Sequence, residues 1–359
     1  MFMVVVKMSR LISLIYVTVL LLDHASGEEE IIASGEAPEV MADQEFNVIY
    51  PDMEKALDKL EHLSKTASKL DQIKADVIMA EDPETIYDDM IKVLNEIIEA
   101  VKNSNNAYKF LKANGLDRIV QQGLRVDYDK LKTRILILLK VLFDVAPTTT
   151  TAVIPITVID RVLDIFERDN QGLKAHSLDV MYLWLPGNPK VQARVMKIKG
   201  LAPFYEQVGK LDISVVKTLL DLFNNILKEH LEARSYAQRT AVNNDNMKFY
   251  QRIGLLEHMK TPLVCNGLLN IFTKTWSHST DQNNIIITVF DMLKNIKEFC
   301  LKNYRGKDDA RKLFMALQKY VNEPDNFEYF ESMGLNVTDI SLLIDEYVSK
   351  LKYSVKDEI

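Results

Sequence analysis

The side chains best suited to chemistry in this chain are two cysteines and six scattered histidines. The atoms that zinc prefers occur at His258, Cys265, His278 and Cys300. Their spacings are much longer than those of a zinc site, so we interpret all four as structural. The sequence also has no phosphate-binding glycine loop, serine nucleophile elbow, CxxC pair or calcium loop. It therefore predicts a protein that is not an enzyme and that needs no cofactor or metal.

The two cysteines leave open whether a disulfide bond forms. Cys265 and Cys300 lie in neighbouring predicted helices, and a disulfide and two buried free thiols fit the sequence equally well. Two cysteines are too few for a disulfide framework, so core packing must stabilise the fold. A redox enzyme that uses one of these thiols is a competing function, but no CxxC motif or nearby basic cluster would activate either thiol.

The composition indicates a large helical core. Apolar residues make up 47% of the 359 residues, and the chain has only 12 glycines and 10 prolines. The formal net charge of −7 argues against nucleic-acid binding, because a phosphate-tracking surface needs clustered Lys and Arg.

The first residues have the pattern of a signal peptide. A basic stretch precedes the uncharged apolar run 11–22, which is too short to cross a bilayer. Ala25 and Gly27 suit cleavage before Glu28. We therefore expect residues 1–27 to be removed and the mature protein to have no membrane segment.

The opposite end carries a second address. Its last four residues, Lys356, Asp357, Glu358 and Ile359, resemble the Lys-Asp-Glu-Leu signal that retains proteins in the endoplasmic reticulum, with Ile replacing the usual Leu. Asn336 begins the sequon Asn-Val-Thr, a glycosylation signal of the secretory pathway. The two ends together predict a location in the lumen of the endoplasmic reticulum.

Two different segments follow the signal peptide. Residues 28–45 are acidic without apolar periodicity, which predicts a disordered leader. Residues 46–79 show helical spacing of apolar residues among many charges. We expect either a helical arm that docks weakly or only on a partner, or a simple solvated helix. The predicted domains are a leader and arm at 28–82, a repeat domain at 83–348 and a tail at 349–359.

Internal repeats begin after Pro83. Four stretches share one layout, in which Asn caps a short helix and Gly ends it before an apolar helix restarts. They cover residues 106–116, 188–201, 246–255 and 326–335. Their intervals imply a unit of about 40 to 45 residues, with degenerate units near Pro155 and Asn284. This pattern predicts an all-α, right-handed solenoid of the armadillo or HEAT type, with an ordinary helical bundle as the alternative.

The third helix of each unit lines the concave groove of an armadillo solenoid, so its side chains choose the partner. Armadillo proteins that bind extended peptides resemble one another in a Trp followed four residues later by an Asn. Here the Trp position holds Asp179, Asp221 and Asp291, and the later position holds Leu183, Asn225 and Asn295. This disfavours peptide binding and predicts an acidic stripe, unless the acids lie by chance on a solvated face. Tyr182 and Trp184 are interpreted as core.

These features together resemble the Sil-one family, the nucleotide exchange factors of BiP, which is the seventy-kilodalton heat-shock chaperone of the endoplasmic reticulum. The resemblance rests on the two terminal signals, the charged arm and the repeat that contains Asn188-Pro189-Lys190-Val191-Gln192. It implies a co-chaperone that wraps its concave face around the chaperone's ATPase domain and promotes ADP release during protein folding and translocation.

The implied partner is the BiP ATPase domain, and we expect a monomer that binds neither nucleic acid nor membrane. The competing interpretation is a lumenal armadillo scaffold or cargo-binding protein without exchange activity. The groove contacts to test are Asp179, Asp221, Asn225, Asp291 and Asn295.

Overall fold

The structure, a computed structural model, describes residues 53–73, 83–147, 154–235, 241–277 and 285–352. Throughout these ranges the chain forms helices joined by turns, without a strand. The predicted signal peptide, the acidic leader and the retention-like residues Lys356–Ile359 lie outside the described residues.

The described ranges contain long helices separated by shorter ones. In chain order they are α1 (Met53–Ile73), α2 (Pro83–Val101), α3 (Ser104–Lys112), α4 (Asp129–Val145), α5 (Val158–Arg168), α6 (Gln171–Trp184), α7 (Pro189–Ile198), α8 (Ala202–Glu206), α9 (Ile213–Ser235), α10 (Ala241–Ile253), α11 (Leu255–Met259), α12 (Pro262–Ser277), α13 (Ile285–Tyr304), α14 (Asp308–Val321), α15 (Phe327–Ser332) and α16 (Val337–Lys352). A π-helical turn, Leu116–Val120, lies between α3 and α4.

Six of these helices form a ladder in which each packs on the next: α2, α4, α6, α9, α13 and α16. Three of them, α4, α6 and α9, begin at residues 129, 171 and 213, a constant interval of 42 residues. The shorter helices form a second layer, in which α5 packs on α6, α12 on α13 and α14 on α16. The predicted all-α armadillo-like repeat fold is confirmed by this regular stacking.

The unit formed by α7, α8 and α9 shows how the sequence sets helix ends. The side chain of Asn188 accepts a hydrogen bond from the backbone N–H of Val191 and so caps α7. Pro189 follows in the first turn, where its missing N–H is not needed. Gly200 ends the helix with a φ of 66°, a left-handed conformation that glycine adopts without strain. The predicted layout from Asn to Gly is therefore correct in this unit.

The Asn caps predicted for the other three units are wrong. Asn103 caps α3 through its side chain, whereas Asn106 is buried and donates to the backbone oxygen of Ala100. Asn246 falls inside α10, and Asn326 donates to a backbone carbonyl without capping α15. An Asn side chain can bond with several kinds of backbone group, so its presence alone does not locate a helix start.

The glycine stops are more accurate than the Asn caps. Gly254 and Gly334 each have a φ of 71°, as a helix stop requires. In the first unit the left-handed residue is Asn114, with a φ of 56°, and the following Gly115 is right-handed. Glycine is the better marker because few other residues adopt a positive φ.

Helix α1 packs on the repeats. Leu57 and Leu60 are fully buried, and the helix contacts α2 and the π-helical turn. Arg118 of that turn bonds to three carboxylates of α1 at distances of 2.6 to 3.1 Å, those of Glu54, Asp58 and Glu61. Helix α1 is thus neither weakly docked nor simply solvated, and it shares one compact unit with the helices that follow Pro83.

The two cysteines are joined in a disulfide bond. Cys265 of α12 and Cys300 of α13 have their Cα atoms 5.3 Å apart, and both side chains are fully buried. The bond links the ladder helix α13 to its second-layer neighbour. Core packing and this covalent link therefore stabilise the same pair of helices.

A partly buried polar cluster joins α7, α9 and α10. Glu229 of α9 accepts hydrogen bonds from the backbone N–H of Gly187, the amide of Gln192 and the hydroxyl of Tyr250. The neighbouring His230 is 1% exposed, and its Nε2 lies 2.9 Å from Oε1 of Gln192. Burial lowers the pKa of His230 to about 4 and raises the pKa of Glu229 above its usual value. His230 is therefore neutral at pH 7 and donates from Nε2.

Shortening the buried face of α1 should destabilise the protein. Replacing Leu57 by Ala removes a fully buried side chain and leaves a cavity, so we expect a loss of about 2 to 4 kcal/mol in the free energy of unfolding. Lys59→Ala, on the exposed face of the same helix, should change it by less than about 0.5 kcal/mol. Urea denaturation measures both. Equal effects of the two substitutions would show that α1 does not pack as described.

The neutral state of His230 should make stability depend on pH. Its folded pKa of about 4 is below the value near 6.5 expected in the unfolded chain. The unfolded chain therefore binds the proton first as the pH falls, and folding loses about 2 kcal/mol between pH 7.5 and pH 5. His230→Gln keeps a donor for Gln192 without titrating, so it should remove this part of the loss.

The comparison of wild type with His230→Gln cancels the other titrating groups. Glu229, Tyr250, Arg234 and Glu257 surround His230 and stay in both proteins. The raised pKa of Glu229 acts in the opposite direction near pH 5, because protonation there relieves a cost of burial. Urea titrations at the two pH values give the difference. Identical pH dependence in both proteins would contradict a buried neutral imidazole.

Candidate partner-binding surface

The predicted groove residues lie on three consecutive ladder helices. Asp179 is on α6, Asp221 and Asn225 are on α9, and Asp291 and Asn295 are on α13. All five are half-buried. Steps of four residues place the Asp and Asn of one helix on the same face. Third helices line the concave surface of an armadillo solenoid, so we call the surface around these five residues the concave face.

Lysines of neighbouring helices pair with acids of the concave face. Nζ of Lys140, on α4, lies 3.0 Å from Oδ2 of Asp179 on α6. Nζ of Lys228, on α9, lies 2.9 Å from Oδ2 of Asp291 on α13. The concave face is therefore mixed in charge where the sequence predicted an acidic stripe. Each of these lysines pairs with a carboxylate of the next ladder helix, and its positive charge offsets the repulsion between carboxylates on successive helices.

Hydrogen bonds that involve no lysine also cross between α9 and α13. The hydroxyl of Thr288 donates to Asp221, and the amide of Asn295 donates to the side-chain oxygen of Asn224 at 2.7 Å. Asn225 has no side-chain hydrogen bond within the described residues, so its amide can contact a partner. Four of the five predicted residues thus join ladder helices, and their side chains stay partly exposed.

Sequence reasoning missed the partners of these residues. Lys228 follows Asp221 by seven residues, two helical turns along the same face, so periodicity within α9 could have placed it on this surface. Its partner Asp291, like the partners of Lys140, Thr288 and Asn224, comes from another helix, which periodicity within one helix does not reveal. Tyr182, one turn after Asp179, is half-buried and packs against the core. Trp184 is core as predicted, with 1% exposure.

An open cleft extends the concave face toward the carboxyl-terminal end of the ladder. It lies between α13 and α16 and has a volume of about 630 Å³. Its lining includes apolar side chains, among them Leu342 with 65% exposure, and the charged residues Lys294, Asp339 and Glu346. The cleft therefore offers both apolar and charged groups.

In the ranges that the structure describes, no group of His, Cys, Asp and Glu side chains could hold a metal ion. In the same ranges no helix has both the length and the apolar character that a membrane crossing requires.

The ladder and its concave face define an armadillo-like helical repeat protein. No family model matches the chain, and no curated protein matches it. Among solved structures, a designed armadillo repeat protein aligns with a TM-score of 0.43 and 10% identity, over 84% of this chain and 100% of that one. An engineered protein aligns with a TM-score of 0.43 and 14% identity, over 84% and 98%. Neither likeness bears on function.

Proposed function

We propose that this chain binds a folded partner domain along the concave face and acts as a nucleotide exchange factor for a BiP-type chaperone in the lumen of the endoplasmic reticulum. The observation that carries the proposal is the polar, half-exposed strip that crosses α6, α9 and α13. It lacks the Trp positions with which armadillo proteins hold an extended peptide. A mixed-charge strip of this kind suits the polar surface of a folded domain.

The bonds between ladder helices support an exchange role. An exchange factor must bind the open, nucleotide-free form of the chaperone more tightly than the ADP form. A 100-fold loss of ADP affinity requires a coupling free energy of about 2.7 kcal/mol, which the factor loses in its own binding to the ADP complex. A surface whose helices are joined by bonds such as Lys228 to Asp291 resists deformation and so can impose one geometry on its partner.

The two sequence signals support the location. The signal-peptide pattern and the retention-like residues Lys356–Ile359 are the reason why we propose a chaperone of the endoplasmic reticulum lumen as the partner. The proposal includes a monomer without enzymatic activity. A lumenal scaffold or cargo-binding protein has the same fold and the same signals, and only an effect on nucleotide release distinguishes the two.

Exchange activity should appear as faster ADP release. We expect the purified chain to raise the dissociation rate of fluorescent ADP from a BiP-type ATPase domain at least tenfold, because tighter binding to the open form weakens the hold on nucleotide. Stopped-flow fluorescence with excess unlabelled nucleotide measures this rate. Binding without acceleration would favour the scaffold, and no binding would exclude this partner.

Charge reversal on the concave face should abolish partner binding. Asp179→Lys, Asp221→Lys and Asp291→Lys together place like charges beside Lys140 and Lys228 and reverse the charge that faces the partner. We expect the affinity to fall more than 100-fold, about 2.7 kcal/mol, in isothermal titration calorimetry. Helicity by circular dichroism should stay unchanged.

A matched triple variant controls for net charge. Asp309, Asp325 and Glu328 are exposed and lie in or between α14 and α15, which are not ladder helices. Their replacement by Lys should leave the affinity within about twofold, because rim or distant charges contribute little to binding. Equal losses in both triple variants would mean that net charge, and not the concave face, controls the interaction.

A further inference from the structure

The side chain of Asn336 uses only its oxygen within the folded chain. Its Oδ1 accepts hydrogen bonds from the backbone N–H groups of Thr338 and Asp339, at 3.0 and 3.4 Å, and so caps α16. Its Nδ2 makes no hydrogen bond within the described residues, and Asn336 is exposed. A group attached to Nδ2 would therefore leave the helix cap intact.

Asn336 also borders the cleft between α13 and α16. The same cleft contains Asp291, one of the predicted partner contacts, and the exposed Leu342. The sequon Asn336-Val337-Thr338 thus lies at the carboxyl-terminal end of the concave face. A sugar chain that starts here has the cleft beside its first rings.

We infer that an N-linked glycan on Asn336 covers the cleft between α13 and α16 and closes this end of the concave face to a partner. The part that concerns the partner rests on the proposed function. Covering of the cleft itself rests only on the position of Asn336 and on modification of the sequon.

The chemistry of attachment is a simple group transfer. The donor of secretory-pathway glycosylation is an oligosaccharide linked to a lipid pyrophosphate. The whole oligosaccharide is transferred to Nδ2 through its first sugar. The bond between Nδ2 and C1 of that sugar forms, and the bond between C1 and the pyrophosphate oxygen breaks. Nδ2 loses one proton to a base and the lipid pyrophosphate leaves, so no group is oxidised or reduced.

The cleft suits a glycan as its cover. The apolar faces of sugar rings can shield the exposed side chain of Leu342 from water. Sugar hydroxyls can both donate and accept, so they can bond to Lys294 as well as to Asp339 and Glu346. The cleft of about 630 Å³ is open to solvent, and the exposed Asn336 is one of its lining residues.

Thiol labelling tests the covering without any partner. The Leu342→Cys variant, produced in a host that glycosylates secreted proteins, has one reactive thiol, because the two native cysteines are joined to each other. We expect a maleimide–polyethylene glycol to label it at least tenfold more slowly than in the same variant carrying Thr338→Ala. That second substitution removes the sequon but keeps Asn336 as the cap. Mass spectrometry checks the glycan.

Lys350→Cys, also exposed on α16 but outside the cleft, is the matched control. Its labelling rate should be the same with and without the sequon. Equal labelling of Leu342→Cys in the two backgrounds would overturn the inference, and so would an unmodified Asn336 in the secreted protein.

Calorimetry with the BiP-type ATPase domain tests closure to the partner. The Thr338→Ala protein should bind at least tenfold more tightly than the glycosylated chain. Equal affinities would overturn the closure. If neither protein binds the domain, the proposed function fails alone, because the labelling rates still decide whether the glycan covers the cleft.

Discussion

The side-by-side packing of the six ladder helices is the contact on which the other features depend. Each long helix buries apolar residues on both neighbours, and the hydrophobic effect is the main source of stability in such an array. Because one stripe of each helix stays outside this packing, the polar residues on it form a continuous surface. The stacking of the helices thus creates this surface, and each repeat adds the polar stripe of one further helix to it.

The bonds across the concave face give that surface a definite form. Pairs such as Lys140 with Asp179 are partly exposed, so each contributes little to the free energy of unfolding. They also pair side chains of successive helices in a defined arrangement. For the proposed partner, less binding free energy would then be lost to ordering side chains.

Much of the fold could be predicted from the sequence, because helix periodicity and glycine stops are local signals. The repeat interval and the ladder positions of Asp179, Asp221 and Asp291 follow from such signals. The bonding partners of these residues could not be predicted, since Lys140 and Thr288 reach them from other helices. Helix α1 was misinterpreted for a similar reason. Its many charges suggested a solvent-exposed helix, but Arg118, far along the chain, forms ion pairs with three of its carboxylates.

The position of α1 also decides how the array can grow. A stack of helices has two terminal faces, and either face could accept the next helix from another molecule and continue into a filament. Helix α1 occupies the outer face of α2, with Leu57 and Leu60 fully buried there. Head-to-tail polymerisation at the amino-terminal end would first require this helix to detach. One helix thus gives the repeat array a fixed length.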